Sequence, residues 1–137
     1  MKCVKLKIYP KGYGREIYRV IAVDPKKLTF NDLKAYMIHT FDLDTFSHLY
    51  EFVYKAAYVR NNALTDCEDE TTMDERVFDS PLPKTFYFHY DFAKDWYFAI
   101  NIMSSMEEVD LLKSSYKELR VKVNLSNIPV MVGILSK

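Results

Sequence analysis

TFYFHYDFAKDWYFAINIM, residues 85–103, alternates its side chains with a period of two on both sides of a short break. Phe86, Phe88, Tyr90 and Phe92 fall on one side, and Tyr87, His89 and Asp91 on the other. Trp96, Phe98, Ile100 and Ile102 repeat the pattern after the break. Successive residues of a β-strand point to opposite faces, so each half predicts a strand with one buried face. The connection at Ala93-Lys94 is tight, which predicts an antiparallel hairpin over Thr85–Phe92 and Trp96–Met103.

Working upstream, Val4, Leu6 and Ile8 alternate with Lys5, Lys7 and Tyr9, and Ile17–Val23 predicts a second strand after the turn residues Pro10, Gly12 and Gly14. Residues 3–23 therefore read as another hairpin, its lysines suited to an edge that must resist edge-to-edge pairing. Thr29 followed by Asp32 has the spacing of a capping box, and Leu33, Tyr36, Met37, Thr40 and Phe41 recur at helical intervals, predicting a helix over 30–41. His48–Tyr54 alternates again, with His48, Tyr50, Phe52 and Tyr54 on one face and Leu49, Glu51 and Val53 on the other. Ala57–Arg60 reads as a short strand pairing back with it. Residues 61–84, polar, acidic and bounded by Pro81 and Pro83, read as one long loop. Downstream, Ser104 and Ser105 stand at capping-box offsets from Glu107 and Glu108, and Val109, Leu112, Tyr116 and Leu119 predict a second helix over 106–118. Val121–Leu125 and the apolar Ile128–Leu135, tempered by Pro129, read as strands. The expected fold is α+β: a mainly antiparallel sheet built from hairpins with two helices packed on it, forming a single domain over residues 1–137.

The composition agrees. Of 137 residues, 49% are hydrophobic and 28% charged, which excludes global disorder, and the aromatic share of 15% favours sheet. Lysine plus arginine and aspartate plus glutamate balance at 19 each, so no global charge marks a nucleic-acid coat. The balance hides a split: residues 1–30 carry eight basic and two acidic side chains, residues 61–95 three basic and nine acidic. Three glycines are too few for a phosphate loop. Cys3 and Cys67 form no CxxC pair, and the acidic neighbours of Cys67 disfavour its thiolate. No calcium-loop spacing and no HxH or HxxxH pattern occurs, so no cofactor and no metal is called for. The longest apolar runs fall far short of a membrane span, and no signal peptide precedes the first strand, which points to the cytoplasm with both thiols reduced.

The chemistry-bearing residues are few. Asp91 and Asp95 flank the turn of the central hairpin, where aspartate serves as a turn former or as one of paired carboxylates. His48 opens its strand, and Glu51, His89 and Asp91 are the partners it would need to act as base or ligand. Arg19 alternates with Ile17 and Ile21; if these point inward it must be paired, with Glu51, Asp91 or Asp95 as candidates, or else bind an anion. Trp96, Tyr90 and the Phe86–Phe88 ladder read as core. The charges around them are mostly acidic, which opposes a base-stacking platform.

Ile17-Tyr18-Arg19, the helix start at Thr29–Leu33, His48-Leu49-Tyr50-Glu51-Phe52 and Tyr90-Asp91-Phe92-Ala93-Lys94-Asp95-Trp96 together resemble the plasmid pRi open-reading-frame-three-like family, small bacterial and archaeal domains of uncharacterised activity. Members have an Ile-Trp-Arg strand, a Thr-Leu-x-x-Leu-His helix, a His-Leu-x-x-Phe strand and a Tyr-Asp-Phe-Gly-Asp-x-Trp turn, in this order. The resemblance runs from about Lys5 to Ile102. Tyr18 stands in place of the family's Trp, Tyr36 near its helix His, Ala93 in place of its Gly and Lys94 in place of the first Asp after it. The resemblance implies a fold and supplies no reaction.

Three functional expectations follow. The first is an interaction module binding a protein partner, with opposite-sign patches on the basic hairpin and the acidic 66–79 segment that also allow head-to-tail self-association. The second is a metal-dependent hydrolase-like site in a cleft drawn from Arg19, His48, Glu51, His89, Asp91, Asp95 and Trp96. The third, disfavoured by the charge balance, is nucleic-acid binding through Lys2, Lys5, Lys7, Lys11, Arg15 and Arg19. No membrane partner is expected.

Overall fold

A computed structural model of the chain describes residues 1–43, 50–57, 59, 61–66, 70–90 and 96–124. Its strands are β1 (Lys2–Pro10), β2 (Ile17–Val23), β3 (Tyr50–Val53), β4 (Thr85–Tyr90), β5 (Trp96–Glu108) and β6 (Tyr116–Val123); its helices are α1 (Phe30–Thr40) and α2 (Glu70–Met73). The strands form one six-stranded sheet in the order β3-β4-β5-β1-β2-β6, every neighbouring pair antiparallel. This is the expected α+β architecture.

The alternation read from the sequence sets the two faces. Leu6 and Ile8 of β1, Ile17 and Ile21 of β2, Phe52 of β3, Phe86 and Phe88 of β4, and Phe98 and Ile100 of β5 all point to one side and are fully buried. Phe30, Leu33 and Met37 of α1 close over them. Fully burying a side chain of this size contributes roughly 1.5–3 kcal/mol, so this layer is the main source of stability. α1 starts where the capping box places it. Thr29 Oγ1 accepts from Asp32 N at 3.1 Å, and Asp32 Oδ2 accepts from Thr29 N at 3.1 Å. Thr29→Ala is expected to cost about 1 kcal/mol, read as a lowered urea midpoint with an unchanged slope; an unchanged midpoint would show that the box contributes nothing.

Four parts of the sequence reading are corrected. No helix spans 106–118. β5 runs on to Glu108, because Met106, Glu107 and Glu108 pair with Val4, Cys3 and Lys2. A turn with positive φ at Leu112 (51°) and Lys113 (70°) then reverses the chain into β6. Asp110 Oδ1 accepts from Leu112 N at 3.0 Å, and Val109 and Leu111 bury against Cys3 and Ala22. Pairing across the sheet outweighs a helical spacing with no partner for its stripe. Residues 61–84 are not one open loop: Met73 and Val77 are buried, Val77 N donates to Leu28 O, and Phe30 N donates to Glu75 O, strapping the segment to the start of α1. β1 is not an edge; it lies between β5 and β2. Ala57 lies in a bend, and the outer side of β3 is met instead by residues 62–65, with Val53 bridging Ala63 and Leu64 N donating to Phe52 O at 2.7 Å. His48, Leu49, the turn at 91–95 and Ile128–Leu135 lie outside the described residues. No described helix is long and apolar enough to cross a membrane.

Candidate functional site

Strand parity divides the sequence-predicted residues between the two faces of the sheet. Glu51 of β3 and His89 of β4 are direct cross-strand partners, and His89 is opposite Tyr97 of β5, so all three share the face turned away from α1. His89 is 3% exposed. His89 Nδ1 lies 3.3 Å from Glu51 Oε1, within hydrogen-bond reach. The imidazole stacks on the Tyr97 ring with centroids 4.3 Å apart and planes 3° apart. A pocket of about 220 Å³ opens beside them, walled by Val53, Ala57, Val59 and Ala63 and by Asn61 and Asn62. Asn62 holds the loop that forms this wall: its amide donates to Lys55 O and Ala57 O at 2.8 Å each.

Arg19 does not join this group. It points to the helix side, where the Glu118 carboxylate lies 3.7 Å from its Nη1. Glu118 Oε1 also accepts from the Tyr36 hydroxyl at 2.7 Å. Burial, and after it the bond to Glu118, pushes the Tyr36 phenol above its ordinary range. The partner of Arg19 is thus Glu118, a residue of β6, and not Glu51. Trp96 is opposite Tyr90 and packs against the core on the helix side. His48, Asp91 and Asp95 lie outside the described residues. Among the described residues, no three His, Cys, Asp or Glu side chains group as a metal site.

The sheet face turned away from α1 carries a surface that the sequence reading missed. Among the described residues no helix lies on it. Tyr9, Tyr18, Tyr87 and Tyr97 are all half-buried there. They screen small residues beneath, Val20 at 3% exposure and Ala99 at 2%. Tyr87 and Tyr97 meet edge to face with centroids 6.4 Å apart. Burial, and then the neighbouring Tyr87, raises the Tyr9 phenol pKa. Lys7 Nζ sits 4.7 Å from the centre of the Tyr18 ring and 5.5 Å from that of Tyr9, within the roughly 6 Å at which a cation is attracted to a π face. On β6, Lys117, Arg120 and Lys122 are paired in register with Ala22, Val20 and Tyr18, which places all three cations on the same face. The lysines and tyrosines of β1 and β2 were visible as period-two alternation. The β6 cations were visible only in part: the strand read over Val121–Leu125 took in Lys122, whereas the helix read over 106–118 took in Lys117 and left Arg120 between the two.

Residues 2–123 match the family model described as plasmid pRiA4b ORF-3-like protein. The crystal structure of a protein of unknown function from Methanosarcina mazei Go1 has a similar fold, with a TM-score of 0.62 at 19% identity over 88% of this chain and 68% of that one. No curated protein matches.

Proposed function

The chain belongs to the plasmid pRiA4b ORF-3-like family, and from that premise we propose that it is an interaction module, docking an acidic macromolecule on the sheet face turned away from α1. The observation that supports this reading most is the Lys7–Tyr9–Tyr18 cluster set beside Lys117, Arg120 and Lys122. Tyrosine is enriched at interfaces because it presents a large rigid surface with a polar tip. Cations around it steer an acidic partner and fix its orientation.

The test is amide chemical-shift mapping on the full chain at low salt with polyglutamate as the probe. Shifts are expected at Lys7, Tyr18, Lys117, Arg120 and Lys122, and they should disappear in Arg120→Glu. Shifts confined to the surroundings of Glu51 and His89, or to α1, would overturn the reading.

A further inference from the structure

We infer that the occupant of this face is a single-stranded nucleic acid lying along β1, β2 and β6; the inference rests on the face being the working surface. Charge is the first argument. Lys117, Arg120 and Lys122 are exposed, as are Lys11 and Arg15 at the adjoining turn. The nearby carboxylates are Glu107, which lies 3.6 Å from Lys5 Nζ, and Glu16 beside Arg15. Residues two apart on a strand stand about 6.6 Å apart, so Arg120 and Lys122 repeat a cation at a fixed step. A polymer with one negative charge per monomer follows such a row.

The tyrosines decide between polyanions. Half-buried Tyr9 and Tyr18 rings, with Lys7 Nζ over both, put aromatic surface beside a cation on the sheet, the combination that takes unpaired bases. A duplex keeps its bases stacked inside and uses only the cations, and an acidic peptide likewise answers the charges and leaves the rings unused. A depression of about 630 Å³ lies against the Tyr9 ring, lined by Lys7, Tyr9, Gly12, Gly14, Arg15 and Glu16, within the range of roughly 300–1,000 Å³ typical of ligand sites. Gly14 shapes it: a Cβ there would stand 3.0 Å from Tyr9 Cδ2, so only glycine lets the ring lie against the turn undisturbed.

The experiment is fluorescence anisotropy of a labelled 15-mer of deoxythymidine with the full chain, from 20 to 200 mM KCl. Binding is expected with a slope of log K on log salt of about −2 to −3, as three or four neutralised phosphates of a single strand give. Arg120→Glu with Lys122→Glu should weaken binding about 30-fold or more and flatten the slope by about 1.4. Tyr18→Leu should weaken it about tenfold with the slope unchanged, the signature of lost stacking. Arg120 and Lys122 are exposed and Tyr18 is half-buried on the outer face, and unchanged far-UV circular dichroism and melting will show that the variants fold. A duplex of equal length should bind less tightly than the single strand. No binding of the 15-mer at 20 mM KCl, or Tyr18→Leu binding like the parent, overturns the inference. If polyglutamate still maps to this face while the 15-mer does not bind, the nucleic-acid inference falls and the open-face reading stands. If neither probe responds to the β6 charge reversals, both fall.

Discussion

Phe52→Ala is expected to remove about 3–5 kcal/mol of folding stability, a large part of the roughly 5–15 kcal/mol that holds a domain together. The size follows from where the ring sits. Phe52 is fully buried on β3, a strand of only four residues. Its centroid lies 5.1 Å from Phe30 of α1, 5.1 Å from Phe88 and 6.3 Å from Phe86 of β4. One side chain thus ties the helix to the outer strands of the sheet. Truncation adds a cavity to the lost transfer energy, and the rings around it are held by the backbones of β4 and α1, which limits their collapse into the space. Urea unfolding should show a lower midpoint at an unchanged slope. Val121→Ala, at a half-exposed position on β6, is the control and should change stability by less than about 0.5 kcal/mol. A loss below about 1 kcal/mol for Phe52→Ala would mean that β3 and α1 do not share a packed core.

The second large effect is in alkali. Tyr36 is 5% exposed, and burial together with the hydrogen bond to Glu118 raises its pKa in the folded chain. In the unfolded chain a tyrosine titrates near 10. Above that pH the unfolded state has released the proton and the folded state retains it. The unfolded state then binds fewer protons, and stability falls as pH rises. The contribution is fully present below about pH 10 and is lost above it, at a slope approaching 1.4 kcal/mol per pH unit for this one group. Tyr9 adds a component of the same sign, its pKa being raised by burial and by Tyr87. Measuring stability at pH 9 and pH 11 for the parent and Tyr36→Phe isolates the Tyr36 share. The variant should be less stable at pH 9, having lost its bond to Glu118, and should lose less on going to pH 11. Equal losses in the two chains would show that Tyr36 ionises as readily folded as unfolded.

Local pattern was enough wherever it coincided with the sheet. The β1–β2 hairpin, the alternation of β4 and β5 and the start of α1 at the Thr29–Asp32 box all stand close to where periodicity put them, since each rests on contacts between residues near in sequence. Glu51 and His89 were also legible as neighbours, because strands 48–54 and 85–92 were both read with the correct parity. What local pattern could not carry was long-range pairing. Val109, Leu112, Tyr116 and Leu119 have helical spacing, yet the strand continues because β1 offers Glu107 and Glu108 a ladder about a hundred residues away in sequence. That single misreading cut away the start of β6, whose end at Val121–Val123 had been read as strand, and with it went Glu118, the partner of Arg19, and the register that sets Lys117 on the outer face. The 61–84 segment failed for a different reason: its buried anchors are just Met73 and Val77, too sparse to register as a periodic signal.

The two edges of the sheet are not equivalent. Residues 62–65 run along the outer side of β3 and take up its backbone at Phe52 and Val53, whereas β6 ends the sheet among the described residues. Among the described residues, then, a strand arriving from outside meets backbone already engaged at Phe52 and Val53 on one side and the outer ladder of β6 on the other. Two copies meeting β6 to β6 would each spend the same ladder on the other, an isologous contact that closes at two instead of running on as a fibre.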